Sequence, residues 1–392
     1  MTAVQVAIVG AGPAGLLLGH LLHNAGVDSV ILERRSREYV ERRIRAGVLE
    51  QGTVDLLRAA GVGERMDREG LVHHGIHLQF EGGRHRIALS ELTGGRVITV
   101  YGQHEVVKDL IAARLAVGRP IAFDVEDLSV HDLDTDRPRV HFRADGKAHD
   151  LRCDFVAGCD GSHGICRGSV PNGALRMYER TYPFGWLGIL AATPPSLDEL
   201  IYAYHERGFA LHSMRSPTLT RLYVQCAPND ALHAWPDDRV WAELHARLET
   251  ADGWTLAEGP VLEKSITAMR SVVVEPMRYG RLFLAGDAAH VVPPTGAKGM
   301  NLAVADVRVL AEGLVAWYDA GRRDLLDAYS NTCLRRVWRA EHFSWWMTSM
   351  LHQFPEHDTF QQRLQLSQLR YLTTSTAAAT SLAENYVGLH HV

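Results

Sequence analysis

Three groups of residues in this 392-residue chain have types and spacings suited to holding a phosphate-bearing cofactor. Gly10, Gly12 and Gly15 follow the apolar run Val6-Ala7-Ile8-Val9 as Gly-x-Gly-x-x-Gly, and Glu33 stands 18 residues past Gly15. Glycines so placed allow a tight turn and let backbone approach a pyrophosphate. The helix N-terminus that follows favours phosphate charge, and an acid at that distance accepts hydrogen bonds from a ribose. The bland alternative is a glycine turn with no ligand. The second group is a strand running from Cys153 into Asp160-Gly161, with His163 and Arg167 beyond it. Asp160 could hold the dinucleotide with the cations near phosphate, or it could simply cap a turn; the pattern leaves both open. The third is Gly286-Asp287, followed by Pro293-Pro294 and a helix opening near Gly299. Asp287 there suits a polyol hydroxyl, and the helix N-terminus suits negative charge on a ring.

A fourth set belongs to a different chemistry. Side chains alternate across a strand, so Ser213 shares a face with Arg215, Arg221 with Tyr223, and Tyr202 with Tyr204. If those faces point inward, hydroxyls and guanidiniums line one surface, as a small carboxylate requires. If they point outward, the same residues form a polar solvent face.

The elements that must position these groups can be read in outline. The run before Gly10 is a buried parallel strand, Leu16 to Leu22 a helix, and Val30 to Glu33 a second strand. Leu49 to Ala60 is amphipathic, a helix spans about Glu105 to Val117, and Leu128–His131 with Val140–Phe142 reads as a hairpin. Between Tyr178 and Val274 helical periodicity fades and short β-like runs appear, predicting an antiparallel domain inserted into the first. Leu302 to Tyr318 and Asp324 to about Leu351 are helical. Thr373 to Thr380 reads as a loop, and Glu384 to Gly388 as tail. The expected division is 1–177 and 275–392 for a Rossmann-like, α/β cofactor domain with a C-terminal helical region, and 178–274 for the inserted β-sheet.

Composition excludes several classes. Hydrophobic residues are 46% and charged residues 22%, as in an ordinary soluble enzyme. With 41 Lys and Arg against 46 Asp and Glu, the net charge of −5 argues against nucleic acid as a partner. Five cysteines without CxxC spacing and 21 scattered histidines suggest buried thiols and no metal site. The apolar N-terminal run is too short to span a bilayer and lacks a charged leader, so a cytoplasmic protein with no membrane partner is expected.

Taken together, the three cofactor stretches resemble the aromatic-ring flavoprotein monooxygenases. The blocks Ile44 to Gly52, Val100 to Gln103, Tyr182 to Gly188, Pro293 to Gly299, Phe343 to Ser349 and Glu384 to Gly388 extend that resemblance over about the whole chain, to the branch that hydroxylates hydroxybenzoates.

The resemblance implies a tightly but non-covalently bound FAD along Gly10, Gly12, Ala14 and Gly15, with Glu33 on the adenosine ribose. Arg43, Arg45, Ala46, Gly47, Val48 and Gln103 would lie on the flavin side. Asp160 and Asp287 would also contact the cofactor, and Met300 and Asn301 would offer backbone amides. It implies a small aromatic acid as substrate: Ser213, Arg215 and Tyr223 on its carboxylate, Met214 beside them, and Tyr202 on its phenol. Tyr386 would continue the proton path and His73 would exchange with solvent. The Pro294 carbonyl would face the ring, and Arg221 and Lys298 would add positive potential. Arg45, His163, Arg167 and Arg270 would meet NAD(P)H. Arg34, Arg35 and Tyr39 lean the choice toward NADPH, while Glu38 and Glu41 lie beside them. O2 would be the co-substrate and a homodimer the assembly. Departures from the family's pattern are Ala14, Tyr204, His212 and Met214; alternation turns His212 and Met214 away from Ser213, and Tyr204 puts substrate scope in question. Rivals are a halogenase or reductase on the same scaffold and a non-catalytic flavin-binding sensor.

Overall fold

The computed structural model describes residues 3–43 and 47–388. Arg45 and Ala46, both expected beside the flavin, lie outside them. A mostly parallel sheet forms the first layer. Its strands run in the order Arg278–Tyr279, Leu282–Leu284, Lys147–Gly158, Ala3–Val9, Ser29–Leu32 and Ile121–Ala122. Val6, Ala7 and Ile8 are fully buried, which is why this strand reads as a continuous apolar run rather than an alternating one. Helix Pro13–Asn24 covers one side with Leu16, Leu17, Leu18 and Leu22. The expected hairpin appears as antiparallel strands Glu126–His131 and Arg139–Ala144, continuing onto Lys147–Gly158.

The second sheet has eight strands, among them Arg176–Ala191, Leu219–Cys226, Ala210–Ser216, Ile201–Ala203 and Val261–Glu275. It also takes Ile76–Phe80 and Gly83–Ile87 from the N-terminal half and His290–Val291 from the C-terminal part. One face of this sheet is closed by helix Asp237–Leu248 through Val240, Trp241, Leu244 and Leu248, an element that fading periodicity did not reveal. The opposite face carries the candidate site.

Helices Gly299–Ala320 and Asp324–Leu351 match the expectation. The supposed loop at Thr373–Thr380 does not exist: helices Thr359–Thr374 and Thr376–Val387 abut at Ser375. Ser375 accepts from Ala378 N and caps the second helix, so one capping serine in a run of small residues does the work of a loop. Tyr386 therefore sits in the last turn of a helix, not in a tail. All five cysteines are buried free thiols. No helix among the described residues is long and apolar enough to cross a membrane.

Candidate active site

The glycine turn is shaped from within and open from without. Gly10 has φ +108°, and a Cβ there would meet the Cys159 carbonyl at 2.3 Å. A Cβ on Gly15 would lie 2.0 Å from the Gly10 carbonyl, so strand, turn and helix touch backbone to backbone. Gly12 is the reverse: nothing lies within 4 Å of where its Cβ would be. Gly12 also caps helix Pro13–Asn24 with no side-chain bond to its first amides. This helix end therefore has room and donors for a phosphate group. Glu33 accepts from Ala11 N and Arg35 N, both at 2.8 Å, which holds its carboxylate at the rim of the turn.

The other two cofactor stretches converge on this turn. Asp160 Oδ2 accepts from Cys166 N at 2.8 Å, so Asp160 does cap a turn, while its Oδ1 is buried without a partner. Arg167 donates to Ala288 O at 3.3 Å, tying this loop to the one that holds Asp287. A Cβ on Gly286 would lie 3.6 Å from that of Ala14. An open glycine cradle, an orphaned buried carboxylate oxygen and an uncapped helix end fit a dinucleotide such as FAD.

A second cluster gathers at the start of helix Gly299–Ala320. Val48 pairs with Val100, and Gly47 O accepts from Tyr101 N at 2.7 Å, setting Gly47 against Gly102, the residue before Gln103. The Asn301 side chain is wholly occupied: it accepts from Glu50 N and Thr53 Oγ1 and donates to Val48 O and Ala297 O. It acts as a staple, and Met300 and Asn301 offer only backbone N–H at the start of their helix. Lys298 is buried, with its ammonium 2.7 Å from Glu50 and donating to the carbonyls of Asn385 and Tyr386. Glu50 also pairs with Arg336 at 2.8 Å. Burial lowers the Lys298 pKa against the pull of Glu50, and its expected positive potential is largely offset on the spot. Sequence spacing could not reveal this pair, whose members are 248 residues apart. Pro294 is exposed, and its carbonyl accepts from Ala297 N at 2.9 Å.

The sheet face brings the substrate candidates together. Cross-strand register sets Tyr202 opposite Leu211, Leu211 opposite Tyr223, and Ser213 opposite Arg221. Arg215 donates to Ser213 Oγ at 3.1 Å, to Met214 O at 2.8 Å and to Tyr223 Oη at 3.3 Å, while its Nε is buried and unpartnered. Arg221 lies over the Tyr223 ring at 5.3 Å, also with an unpartnered Nε. Burial alone would raise the Tyr223 phenol, but the two guanidiniums pull it below the ordinary tyrosine value. His212 faces away as alternation demands, accepting from Ser196 N at 3.1 Å. Met214 is buried in the same cluster as Tyr202 and Trp186, and the register shifts between it and Ser216. Tyr204 is buried in that cluster too.

Tyr202 Oη and Tyr386 Oη are 2.5 Å apart, with both rings buried. Burial raises both phenols well above the usual value. His73 is 1% exposed, and neither ring nitrogen has a partner, so it is not joined directly to the two tyrosines. Burial lowers its pKa to about 4.

His73 shares this state with His212, lowered to about 4, and His352, lowered to about 3 by burial. These imidazoles bind protons in the unfolded chain below about pH 6.5 but refuse them in the fold down to about pH 4. The buried Glu341 carboxyl, raised to about 7, opposes them by keeping one proton in the fold. The three histidines outweigh it, so stability falls by about 2 to 3 kcal/mol per pH unit on acidification from pH 6.5 to 5. Thermal melts should show a steep drop in apparent Tm over that interval; a flat profile would mean that these rings are solvated.

The nicotinamide candidates do not gather in one place, and Arg270 among them sits on strand Val261–Glu275 of the second sheet. Arg34, Arg35 and Tyr39 are exposed, with Arg35 over the Tyr39 ring at 5.1 Å. Tyr39 lines a depression of about 370 Å³ together with Ser36, Glu38, Arg42 and Arg43. Glu38 is paired with Arg42 and Glu41 with Arg37, which removes much of the acidity that stood against phosphate there. His163 is exposed, and Arg270 pairs across the sheet with Thr181.

A nucleotide cradle on a parallel sheet, set against a second sheet with a buried carboxylate-type pocket, defines a flavoprotein oxygenase scaffold. The model of the FAD binding domain family matches residues 3–344, and the chain belongs to that family. It is 52% identical to the p-hydroxybenzoate hydroxylase of Acinetobacter baylyi, covering 98% of this chain and 95% of that one. A kynurenine 3-monooxygenase of Salinispora arenicola is 29% identical over 83% of this chain and 75% of its own. Among solved structures, the p-nitrophenol 4-monooxygenase PnpA of Pseudomonas putida DLL-E4 superposes with a TM-score of 0.82 over the whole of both chains at 20% identity, a likeness of fold.

Proposed function

We propose that the chain is an FAD-dependent monooxygenase that converts 4-hydroxybenzoate to 3,4-dihydroxybenzoate, taking electrons from NAD(P)H and one oxygen atom from O2. The observation that carries this reading is the pairing of two sites on one sheet face. A carboxylate cradle of Ser213, Arg215 and Tyr223 lies at one end, and the buried Tyr202–Tyr386 contact at the other. A para-hydroxylated benzoate has those two polar ends and a flat ring between them. Bound FAD supplies the electron transfer and oxygen activation.

The chain's own groups do the rest. Hydroxylation ortho to a phenol is electrophilic, and a free phenol with pKa near 10 is almost fully protonated at neutral pH. Tyr202 and Tyr386, both high in pKa, stay protonated and hand the substrate's proton on without holding charge themselves. His73, kept neutral at working pH by burial, passes the proton on to solvent without holding it. Arg221 and Arg215 favour the phenolate by their field. Lys298 holds the Tyr386 backbone, with Glu50 balancing its charge. The apolar cluster around Tyr202 excludes water from the reacting ring. The chain is read as a soluble cytoplasmic homodimer, divided at residues 178 and 275 into a cofactor domain and an inserted substrate sheet.

Anaerobic flavin reduction by NADPH and by NADH, each with and without 4-hydroxybenzoate, tests the reading. Strong acceleration by the acid, followed by 3,4-dihydroxybenzoate on admitting air, is the expected result. No acceleration would assign the pocket to another ligand. NADPH is the proposed donor, because Arg34, Arg35 and Tyr39 can meet a 2′-phosphate. Arg34→Glu should raise the NADPH KM about tenfold and leave that for NADH nearly unchanged; an unchanged NADPH KM would remove Arg34 from the contact.

A further inference from the structure

Behind the pocket wall lies a stack of buried rings that none of these roles uses. His352 follows helix Asp324–Leu351 as its cap and is fully buried. Its ring lies on Phe184, 4.6 Å away at 7°, and on Phe209, 4.4 Å away at 25°. Trp186 Nε1 lies 2.7 Å from His352 Nε2, with the two rings within 12° of parallel. An indole N–H can only donate, so Nε2 must carry the lone pair and the proton must sit on Nδ1. Nδ1 lies 3.0 Å from Thr348 O, which accepts that proton. Both ring nitrogens are thus committed, and the imidazole has one tautomer and one orientation.

That orientation reaches both ends of the pocket. The Trp186 ring meets Tyr223 at 4.9 Å and Phe209 at 5.0 Å, and Phe209 meets Tyr202 at 6.2 Å. The tyrosines read as gripping carboxylate and phenol therefore lean on the same pair of rings. Thr348 also bonds Thr295 at 2.9 Å, so the turn that holds His352 anchors the loop bearing Pro294. A ring free to swing at Trp186 would widen the gap into which a flat benzoate must slide.

We propose that His352 is a positioning residue that sets substrate selectivity: by locking Trp186 it fixes the distance between the carboxylate and phenol grips, and so the ring that fits. The proposal rests on the reading of this face as an aromatic-acid pocket. The test measures binding to the oxidised, FAD-loaded enzyme by the change in flavin absorbance, for 4-hydroxybenzoate and for its bulkier 3-methyl analogue. His352→Phe and His352→Met keep an apolar side chain in the stack but remove the acceptor. His352→Gln keeps an acceptor for Trp186. Both acceptor-less variants should weaken 4-hydroxybenzoate about tenfold and the methyl analogue less than about threefold, collapsing the ratio of the two affinities. His352→Gln should restore that ratio to within about threefold of wild type. Variants that lose Tm yet keep the wild-type ratio would overturn the proposal, leaving His352 as packing alone. Wild-type enzyme that binds neither acid would overturn the pocket reading itself, a separate outcome from an unchanged ratio.

Discussion

Replacing Tyr202 by phenylalanine should leave flavin reduction by NADPH nearly intact and lower the yield of 3,4-dihydroxybenzoate per NADPH by about 100-fold. The substitution removes one hydroxyl from a ring that is otherwise packed, so the pocket keeps its shape. What is lost is the 2.5 Å contact to Tyr386, along which the substrate's proton is proposed to leave the sheet face. Reducing equivalents would still enter, and O2 would leave as hydrogen peroxide. Stability should drop by about 1 to 3 kcal/mol, because Tyr386 Oη remains buried with no partner. Product chromatography beside NADPH and peroxide assays decides the matter, and a wild-type yield would sink the proton path. Tyr386→Phe should act in the same direction, and the double variant should be little worse than either alone, as expected of residues that work as one unit.

How legible this site was depends on the range of the interactions that build it. The glycine turn, its flanking strand and helix, and Glu33 are local and were readable, since backbone geometry at Gly10 and Gly15 admits nothing larger. Strand alternation also placed Ser213, Arg215, Arg221 and Tyr223 on one face, because a period of two survives as long as the strand stays regular. It did not account for Met214, which is buried in the same cluster as Tyr202 just before the strand's register shifts. The Lys298–Glu50–Arg336 group and the His352–Trp186 bond join residues far apart in the chain, and no local pattern marks either end. Helix Thr376–Val387 was hidden by composition: its N-terminal half, Thr-Ala-Ala-Ala-Thr-Ser, shows no apolar stripe, and tertiary burial of Leu382, Ala383 and Tyr386 shows which face turns inward. That helix is what brings Tyr386 to Tyr202.

Arg215→Gln should raise the dissociation constant for 4-hydroxybenzoate by about 100- to 1,000-fold, roughly 3 to 4 kcal/mol. The guanidinium is surrounded by a hydroxyl, a carbonyl and a phenol rather than by an acid, and burial lowers its pKa. A half-buried cation without a counter-charge destabilises the empty protein, and a ligand carboxylate relieves that strain on binding. Two consequences follow with opposite signs. The glutamine variant should lose most of its affinity for the acid, yet melt no lower than wild type in its absence. Arg215→Lys should fall between, since it keeps the charge but loses the planar fork that meets two oxygens at once. Flavin-absorbance titrations and melts with and without the acid check both consequences together. Wild-type affinity in Arg215→Gln would move the carboxylate elsewhere on the face. A large loss of stability without ligand would instead make Arg215 a strut between the strands, with its hydrogen bonds to Ser213 and Tyr223 outweighing the unpaired charge.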